Sequence, residues 1–370
     1  MTVLAGARVV TPSAILDPGW VEVTDGRIIE VGSGAPPTAA EALTGWLLPG
    51  FIDLHAHGGG GHDFTASAAD MAAGVEFHRR SGTTRTLVSL MAGPIDRMCE
   101  QLTWVAGLVE IGLVAGAHLE GPFLAPARCG AQNRSHLVPP DPLVLAKLLD
   151  AGQGTVRTMT VAPELPGALP VIEEIVRAGA VAAIGHTDAT YQQARYAFSA
   201  GATLATHLFN ALGSISQRAP GPSIAALDSG VYVELINDGV HVHESLIRLA
   251  AKACPDRLAL ITDAISATGV GDGQYTLGDQ AVVVANGSAR LDATGSLAGS
   301  TLTMDEALRR AVQEVGLPIE LATAAASTNP ARVIGLAERC GSIAAGLDAD
   351  LVLLDDGLRV QQVMVRGAWL

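Results

Sequence analysis

The sequence predicts an α/β protein, a TIM-like (β/α)8 barrel with a small β-sandwich domain built from both chain termini. Three observations support this fold class. Apolar, strand-like runs alternate with helix-like stretches through the middle of the chain, which is typical of a parallel sheet covered by helices on both faces. Eight such runs occur, the number that closes a barrel. Both chain ends show short alternating segments and turn residues, which are typical of antiparallel strands.

The predicted barrel occupies residues 49–335. Its strands are expected at 51–57, 84–90, 114–120, 156–163, 181–187, 203–209, 231–237 and 258–264. Helix-like stretches lie between them at 68–80, 95–109, 141–151, 169–179, 190–200 and 243–254. After the eighth strand we expect an extra hairpin at 274–294. A helix from Thr301 to about Gly316 follows, opened by a Ser/Thr cap.

The small domain is predicted to be discontinuous, with residues 1–48 and 336–370 folding together. Residues 2–35 alternate between apolar and polar side chains, and Asp25-Gly26 is a hairpin signal. Residues 340–370 show the same alternation. We therefore expect the two termini to pair as strands of one β structure.

Composition limits the classes of function. The chain has 370 residues, of which 49% are hydrophobic, and its formal net charge is −14. This charge argues against nucleic acid as a partner, and any anionic substrate must be met by a local cluster of positive charge. No apolar run approaches the roughly 18–20 residues of a membrane span, and no secretory signal is evident. The four cysteines lack paired spacing, so we expect free thiols and a cytoplasmic protein.

Metal-binding residue types cluster at the carboxyl ends of the predicted strands. They are His55, His57, His118, Glu120, His186, His207 and Asp263. In a barrel these ends converge on one mouth, so residues far apart in sequence meet there. Taken singly, each histidine is an ordinary hydrogen-bonded core residue, and only the joint placement points to a metal. Imidazoles with carboxylates suit zinc, which polarises a carbonyl and lowers the pKa of bound water to about 7. The residues alone therefore predict a metal-assisted hydrolase.

Several motifs then resemble a known family. PGFIDLHAHG at 49–58 resembles the opening motif of the amidohydrolase superfamily. The following motifs together are similar to those of its N-acetylglucosamine-6-phosphate deacetylases: HLEGPF (118–123), IGHTDA (184–189), THLFNA (206–211), DGVHV (238–242), ITDA (261–264), LAGST (297–301) and NPARVIGL (329–336). The resemblance implies removal of acetate from N-acetyl-D-glucosamine 6-phosphate, giving D-glucosamine 6-phosphate.

The resemblance also implies roles for the residues at the mouth. Glu120, His186 and His207 would bind the main zinc ion. His55 and His57 would allow a second one, so that each subunit holds one or two ions. Asp263 would act as general base towards the attacking water and then as the acid that protonates the leaving amine.

The same resemblance implies how the substrate is bound. Phosphate contacts would come from Arg218 and His241, helped by the backbone of Asn210 and Ala211. The segment formed by Leu297, Ala298 and Gly299 would border the acetyl group. Gln132 stands where the family has a histidine that touches a sugar hydroxyl, and its amide can donate and accept hydrogen bonds. The family is dimeric, so we expect a homodimer in which Arg218 reaches the partner subunit's site.

Other polar residues near the mouth carry weaker hypotheses. Cys129 follows Arg128, whose charge could lower the pKa of the thiol and make it reactive; the alternative is an ordinary exposed thiol. His62 is expected to line the mouth and His118 to orient Glu120, neither as a metal ligand. His136 either replaces the missing family histidine or lies on the surface.

Alternative functions remain open at this stage. Cyclic amidases of the same superfamily bridge two metals with a carboxylated strand lysine, but Lys147 and Lys252 both lie in helix-like stretches. D-Aminoacylases and nucleobase deaminases do not need that lysine, and the candidate phosphate-binding residues argue against both. A non-catalytic metal-binding homologue is a further alternative, and the presence of every expected ligand and of Asp263 argues against it.

Overall fold

A computed structural model describes residues 1–370. Its central element is an eight-stranded parallel sheet in which each strand pairs with the next one along the chain. The strands are β1 Phe51–Ala56, β2 Thr83–Met91, β3 Gly116–Glu120, β4 Val156–Val161, β5 Val181–Ile184, β6 Leu204–Ala205, β7 Tyr232–Ile236 and β8 Leu258–Ile261. The predicted barrel and all eight of its strands are confirmed.

Backbone hydrogen bonds between β1 and the residues after β8 bring the two edges of this sheet together. The Asp263 N–H donates to the His55 carbonyl at 2.8 Å, and the His57 N–H donates to the Ala264 carbonyl at 2.7 Å. Ala56 and Ala264 form an isolated parallel bridge. The sheet is thus a nearly closed barrel, and its closing contacts lie at the carboxyl ends of the strands.

Helices cover the outside of the barrel. They are α1 Ala68–Arg80, α2 Ile95–Glu110, α3 Pro142–Gly152, α4 Ala168–Arg177, α5 Tyr191–Ser199, α6 Gly221–Ser229, α7 Glu244–Ala253 and α8 Met304–Gln313. Helix α6 was not predicted, because its Gly-Pro start suggested a loop. Proline is tolerated in the first helical turn, where its missing N–H would have no partner. A helical segment at 319–333 follows α8 and contains a wider, π-helical turn at Ala324–Thr328.

The insertion after β8 is a three-stranded antiparallel sheet, where the sequence predicted a hairpin. Its strands are Gly273–Leu277, Gln280–Ala285 and Ser288–Leu291. The second turn is Asn286-Gly287, with φ values of 52° and 72°. Positive φ at both positions is typical of the tight turn that joins neighbouring strands. The insertion therefore gains one strand from a turn that lay inside the predicted hairpin.

Both chain ends form sheets below the barrel. One has the strand order Arg27–Ser33, Gly19–Thr24, Thr2–Ala5 and Glu41–Ala42. The other has the order Ala368–Trp369, Val360–Val365, Leu351–Leu354, Trp46–Pro49, Arg8–Val10 and Ile15–Leu16. The Asp25-Gly26 turn joins the first two strands of the smaller sheet, as predicted. The division of the chain into two domains stays a prediction.

None of the helices combines the length and the apolar composition needed to cross a membrane.

Candidate metal centre and active-site cavity

Six polar side chains from five strands meet at the carboxyl end of the barrel. Glu120 is the last residue of β3, and His55 is the second-to-last residue of β1. His57, His186, His207 and Asp263 follow the ends of their strands. All six are buried, and none of them exposes more than 8% of its surface. The structure thus places together residues that are separated by up to 208 positions in the sequence.

Three of these residues have an unusual backbone conformation. The φ values of His186, His207 and Asp263 are 46°, 26° and 51°, in the left-handed region that residues other than glycine rarely adopt. Each occupies the second position after its strand. This conformation turns the backbone sharply at the residues that join the cluster. Such strain persists where the surrounding structure enforces it, which is common at active sites.

Glu120 forms a compact group with two histidines. Its Oε1 atom lies 3.0 Å from His186 Nε2 and 3.1 Å from His207 Nε2, and the two nitrogens are 3.1 Å apart. Ligand atoms on a tetrahedral zinc ion, with bonds of about 2.05 Å, lie about 3.3 Å from one another. These three atoms are therefore spaced as ligands of one metal ion.

The same glutamate belongs to a second group. His55 Nε2 and His57 Nε2 are 3.2 Å apart and lie 3.3 Å and 3.4 Å from the two Glu120 oxygens. Asp263 Oδ1 lies 3.2 Å from His57 Nε2 and 3.5 Å from His55 Nε2. A carboxylate shared between two such groups can bridge two metal ions.

The electrostatics of this cluster favour cations. Burial alone would lower the pKa of His57, but hydrogen bonds and charges from Asp263 and Glu120 raise it to about 9. Burial would raise the pKa of Glu120, yet His55 and the hydrogen bonds from His186 and His207 hold it well below its usual range. A field that retains protons on imidazoles above neutral pH also attracts a divalent ion. Imidazole and carboxylate donors suit divalent transition metals, so the residues present fit such an ion.

Glu234, which the sequence analysis missed, lies behind the cluster. This fully buried residue of β7 has Oε2 3.3 Å from His55 Nδ1, and the same oxygen accepts the His207 backbone N–H at 3.2 Å. A carboxylate at Nδ1 of a candidate ligand histidine holds the imidazole so that Nε2 faces the candidate metal centre. His186 is fixed similarly, since its Nδ1 lies 2.9 Å from the Arg128 carbonyl oxygen. The available signal was a glutamate inside the apolar run VYVELI.

Asp53 is a second residue that the analysis missed. It is fully buried in β1, where burial raises its pKa. Its Oδ1 accepts the His55 N–H at 3.2 Å and the Thr262 N–H at 3.3 Å, and its Oδ2 accepts the Thr262 hydroxyl at 2.6 Å. Asp53 thereby ties the first strand to the last one directly below His55 and Asp263.

Gln132 contacts the metal cluster. Its side-chain N–H donates to Glu120 Oε2 at 2.5 Å, and its carbonyl oxygen accepts the Ala92 N–H at 2.9 Å. Gln132 therefore holds the shared glutamate against the end of β2. The predicted contact with a sugar hydroxyl stays a prediction.

The cluster lies on the wall of a cavity of about 310 Å³. Predicted site residues on this wall are His57, Glu120, Gln132, His186, His207, Asn210, Ala211, His241, Asp263, Leu297 and Gly299. His55 is buried behind the wall, and Ala298 packs into the core of the inserted sheet. Cys129 lies next to the wall residue Gly130, and Arg218 is exposed outside the cavity.

His241 lies on the cavity wall and is paired with an aspartate. Its Nδ1 lies 2.6 Å from Asp238 Oδ2. Burial opposes a charge here, but the hydrogen bond and the charge of Asp238 raise the pKa of His241 above its ordinary value.

The remaining predicted residues have other partners. His118 lies 2.9 Å from the hydroxyls of Ser89 and Thr160 and has no hydrogen bond to Glu120, so the prediction that it orients this residue is wrong. His62 is 2.9 Å from Asp70, outside the cavity wall.

His136 and Cys129 lie in the loop that follows β3. His136 lies 3.0 Å from Asp279. The Arg128 guanidinium, next to Cys129 in the chain, pairs with the Asp188 carboxylate at 2.8 Å. This carboxylate partly neutralises the charge that would lower the pKa of the thiol. The reactivity of Cys129 stays a hypothesis.

Comparison with known proteins places the chain in a family. Residues 46–370 match the amidohydrolase family. The N-acetylgalactosamine-6-phosphate deacetylase of Escherichia coli O157:H7 is 35% identical over 371 residues, which cover 99% of this chain and 98% of that protein. The N-acetylglucosamine-6-phosphate deacetylase of Homo sapiens is 36% identical over 338 residues, which cover 87% of this chain and 82% of that protein.

Solved structures agree with the sequence comparison. The N-acetyl-D-glucosamine-6-phosphate deacetylase of Mycobacterium smegmatis is 44% identical, with a TM-score of 0.97 over 100% of both chains. An aspartate-to-alanine mutant of that enzyme, in complex with N-acetyl-D-glucosamine-6-phosphate, is 45% identical; the match covers 100% of this chain and 98% of that one, with a TM-score of 0.97. The chain is therefore a member of the amidohydrolase family.

Proposed function

We propose that this protein removes acetate from N-acetyl-D-glucosamine 6-phosphate by metal-dependent hydrolysis, giving D-glucosamine 6-phosphate. The observation that supports this best is one cavity that combines a candidate metal centre, an adjacent carboxylate and a histidine whose pKa is raised by an aspartate. Glu120 and the histidines form the centre, Asp263 lies 3.2 Å from His57, and His241 shares the cavity wall. Relatives over nearly the whole chain act on N-acetylhexosamine 6-phosphates.

Zinc is the metal we propose, with one or two ions per subunit. The group of Glu120, His186 and His207 would hold the first ion, and His55 and His57 would hold the second with Glu120 between them. The preponderance of imidazole donors supports zinc over magnesium or calcium, which prefer oxygen ligands. When bound, the ion supplies Lewis-acid polarisation of the acetamide carbonyl and an acidified water.

Asp263 is the proposed proton carrier. Burial would raise its pKa, but the charges of His55 and His57 lower it, so the carboxylate is ionised at neutral pH. In that form it accepts a proton from the attacking water, and it then donates the proton to the leaving nitrogen. This transfer lets the amide leave as a neutral amine and regenerates the carboxylate.

The sugar would be held by other residues of the same cavity wall. We propose that the phosphate contacts His241 and the backbone of Asn210 and Ala211, while Leu297 and Gly299 border the acetyl group. Arg218 is exposed in this chain, which is consistent with a homodimer in which it reaches the partner subunit's site. Dimerisation and a cytoplasmic location stay predictions.

The test is kcat/KM for N-acetylglucosamine, N-acetylmannosamine and N-acetylgalactosamine, each with and without the 6-phosphate. We expect the highest value for N-acetylglucosamine 6-phosphate. Loss of the phosphate should cost at least about tenfold, because charge-assisted contacts are lost. A preference for the galactose isomer would instead match the activity named for the Escherichia coli relative. Tightly bound metal without turnover of any of these sugars would contradict the proposal and favour a non-catalytic homologue.

A further inference from the structure

The turn after β5 carries His186 and is held by a carboxylate from the neighbouring loop. This carboxylate belongs to Glu164, a half-buried residue three positions after the end of β4. Its Oε2 accepts the Thr187 hydroxyl at 2.5 Å, and its Oε1 accepts the Asp188 backbone N–H at 2.6 Å. Both oxygens of Glu164 therefore bind the two residues that directly follow His186.

The Glu164 carboxylate serves only this turn. It forms no ion pair with a lysine, arginine or histidine, unlike the Asp188 carboxylate, which pairs with Arg128. Two donors converge on it, and a carboxylate offers an acceptor oxygen to each of them. A glutamine would offer one oxygen and an NH2 group that faces a donor. The pair of contacts thus requires an acidic side chain at this position.

Thr187 joins the same turn to the wall of the active-site cavity. Its backbone N–H donates to the Ala211 carbonyl at 3.1 Å, and its own carbonyl accepts the Gly213 N–H at 3.1 Å. Ala211 lines the cavity, and Thr187 is fully buried. The Thr187 hydroxyl also accepts the Ala189 N–H at 2.9 Å while it donates to Glu164. One buried residue therefore connects Glu164 to a candidate metal ligand and to the cavity wall.

The backbone of His186 needs such support. Its φ of 46° is costly for a residue other than glycine and persists only where the surrounding structure enforces it. The loop after β3 supplies part of this support, because the His186 carbonyl accepts the Ala125 N–H at 3.0 Å and His186 Nδ1 lies 2.9 Å from the Arg128 carbonyl oxygen. The loop after β4 supplies the rest through Glu164.

We propose that Glu164 is a positioning residue, which keeps His186 in place as a metal ligand and the Ala211 segment in place on the cavity wall. This inference rests on the proposed function and adds to it a residue that lies outside the cavity wall and has no hydrogen bond to a candidate ligand. Without the carboxylate, the Thr187 hydroxyl and the Asp188 N–H lose their acceptor. The strained turn then relaxes, and His186 no longer faces Glu120.

The test measures zinc affinity by competition with a chelator, in the absence of substrate. It compares wild-type protein with Glu164→Gln, Thr187→Val, Thr187→Ser and the control Glu173→Gln on the exposed face of α4. Glu164→Gln and Thr187→Val should each weaken zinc binding by about tenfold, the lower end of the loss expected for residues that support metal ligands. Thr187→Ser keeps the hydroxyl and should recover most of the loss, and Glu173→Gln should match the wild type.

Two further measurements separate positioning from a general loss of stability. The double variant of Glu164→Gln and Thr187→Val should lose clearly less affinity than the product of the two single losses, because both changes break one contact. With zinc at saturation, Glu164→Gln should still show a raised KM for N-acetylglucosamine 6-phosphate, because the Ala211 segment is displaced. A change confined to the fold would lower the melting temperature and leave both quantities unchanged.

The inference is overturned if the zinc affinity of folded Glu164→Gln stays within twofold of the wild type, whatever its melting temperature. It is also overturned if Thr187→Ser loses as much affinity as Thr187→Val, and this pair decides the matter if Glu164→Gln does not fold. A wild-type protein without deacetylase activity would contradict the proposed function, while zinc affinity would still decide the role of Glu164.

Discussion

The two ends of the barrel each hold a buried cluster of charged residues, and the clusters differ in how their charge is balanced. Near the amino ends of the strands, Arg85 Nη2 lies 2.9 Å from Asp348 and 2.7 Å from Asp350. This cluster contains its own counterion and joins β2 to the sheet of the chain termini. At the mouth, Glu120 and Asp263 face imidazoles that balance them only when a proton or a metal ion is bound. The comparison separates a structural cluster from a functional one, as is usual for the two ends of such barrels.

The largest effect is expected at the mouth, for Asp263→Asn. An asparagine cannot carry the proton, so kcat should fall by a factor of about 1,000 or more. The bound metal measured by atomic emission and the melting temperature should remain close to those of the wild type. Near-normal rates in this variant would remove Asp263 as the proton carrier and weaken the distinction between the two clusters.

Arg85→Met tests the opposite end. Removal of the Arg85 guanidinium leaves the buried Asp350 without an ion pair and leaves Asp348 with only the more exposed Arg339 and Arg27. The midpoint of urea unfolding should therefore fall by an amount equivalent to about 3 kcal/mol. Metal content and the kcat of the folded protein should not change. Arg359→Met serves as the exposed control, with little expected effect. A drop in kcat without a loss of stability would show that the two clusters are coupled.

Glu234→Gln tests whether the Glu234 carboxylate supports metal binding at the mouth. The amide cannot balance the His55 imidazole as the carboxylate does, so metal affinity should fall by about 10- to 100-fold. Competition with a chelator measures this affinity in the absence of substrate, and Glu173→Gln on the exposed face of α4 is the control. Unchanged affinity would indicate that Glu234 only supports the fold.

The smallest effect concerns pH and His241. Its pKa is raised in the folded protein, so its charge is present at low pH and is lost as the pH rises through that raised value. KM for the phosphorylated sugar should therefore increase over this range, while KM for the unphosphorylated sugar stays constant. His241→Gln should remove the pH dependence and raise KM at pH 6 by a few fold, about tenfold at most. A parallel rise for both sugars would contradict a phosphate contact.

The sequence predicted the elements well where the pattern was local. Continuous apolar runs identified all eight barrel strands, and the Asp25-Gly26 pair identified a hairpin. Helix α6 was missed because glycine and proline at its start also suit a loop. The third inserted strand was missed because the turn Asn286-Gly287 lay inside a segment that was treated as one hairpin.

For the candidate site, the sequence indicated the residues that carry the chemistry but not those that hold them in place. His55, His57, Glu120, His186, His207 and Asp263 were identifiable because each lies at the end of a predicted strand or just after it, and strand ends of a barrel meet at the mouth. Glu234 and Asp53 lie within strands, where a carboxylate is costly unless a partner compensates for it. Those partners come from other strands, so no local pattern could reveal them.

The sequence by itself determined the barrel, the order of its strands and the set of residues at its mouth, since apolar periodicity and turn residues act over a few positions along the chain. Tertiary structure alone decided that Glu120 is shared by two groups of histidines, and that His118 lies at hydrogen-bond distance from Ser89 and Thr160. The physical reason is that these features depend on distances between segments far apart in the chain. Closure of the barrel and the strained turns after its strands fix those distances.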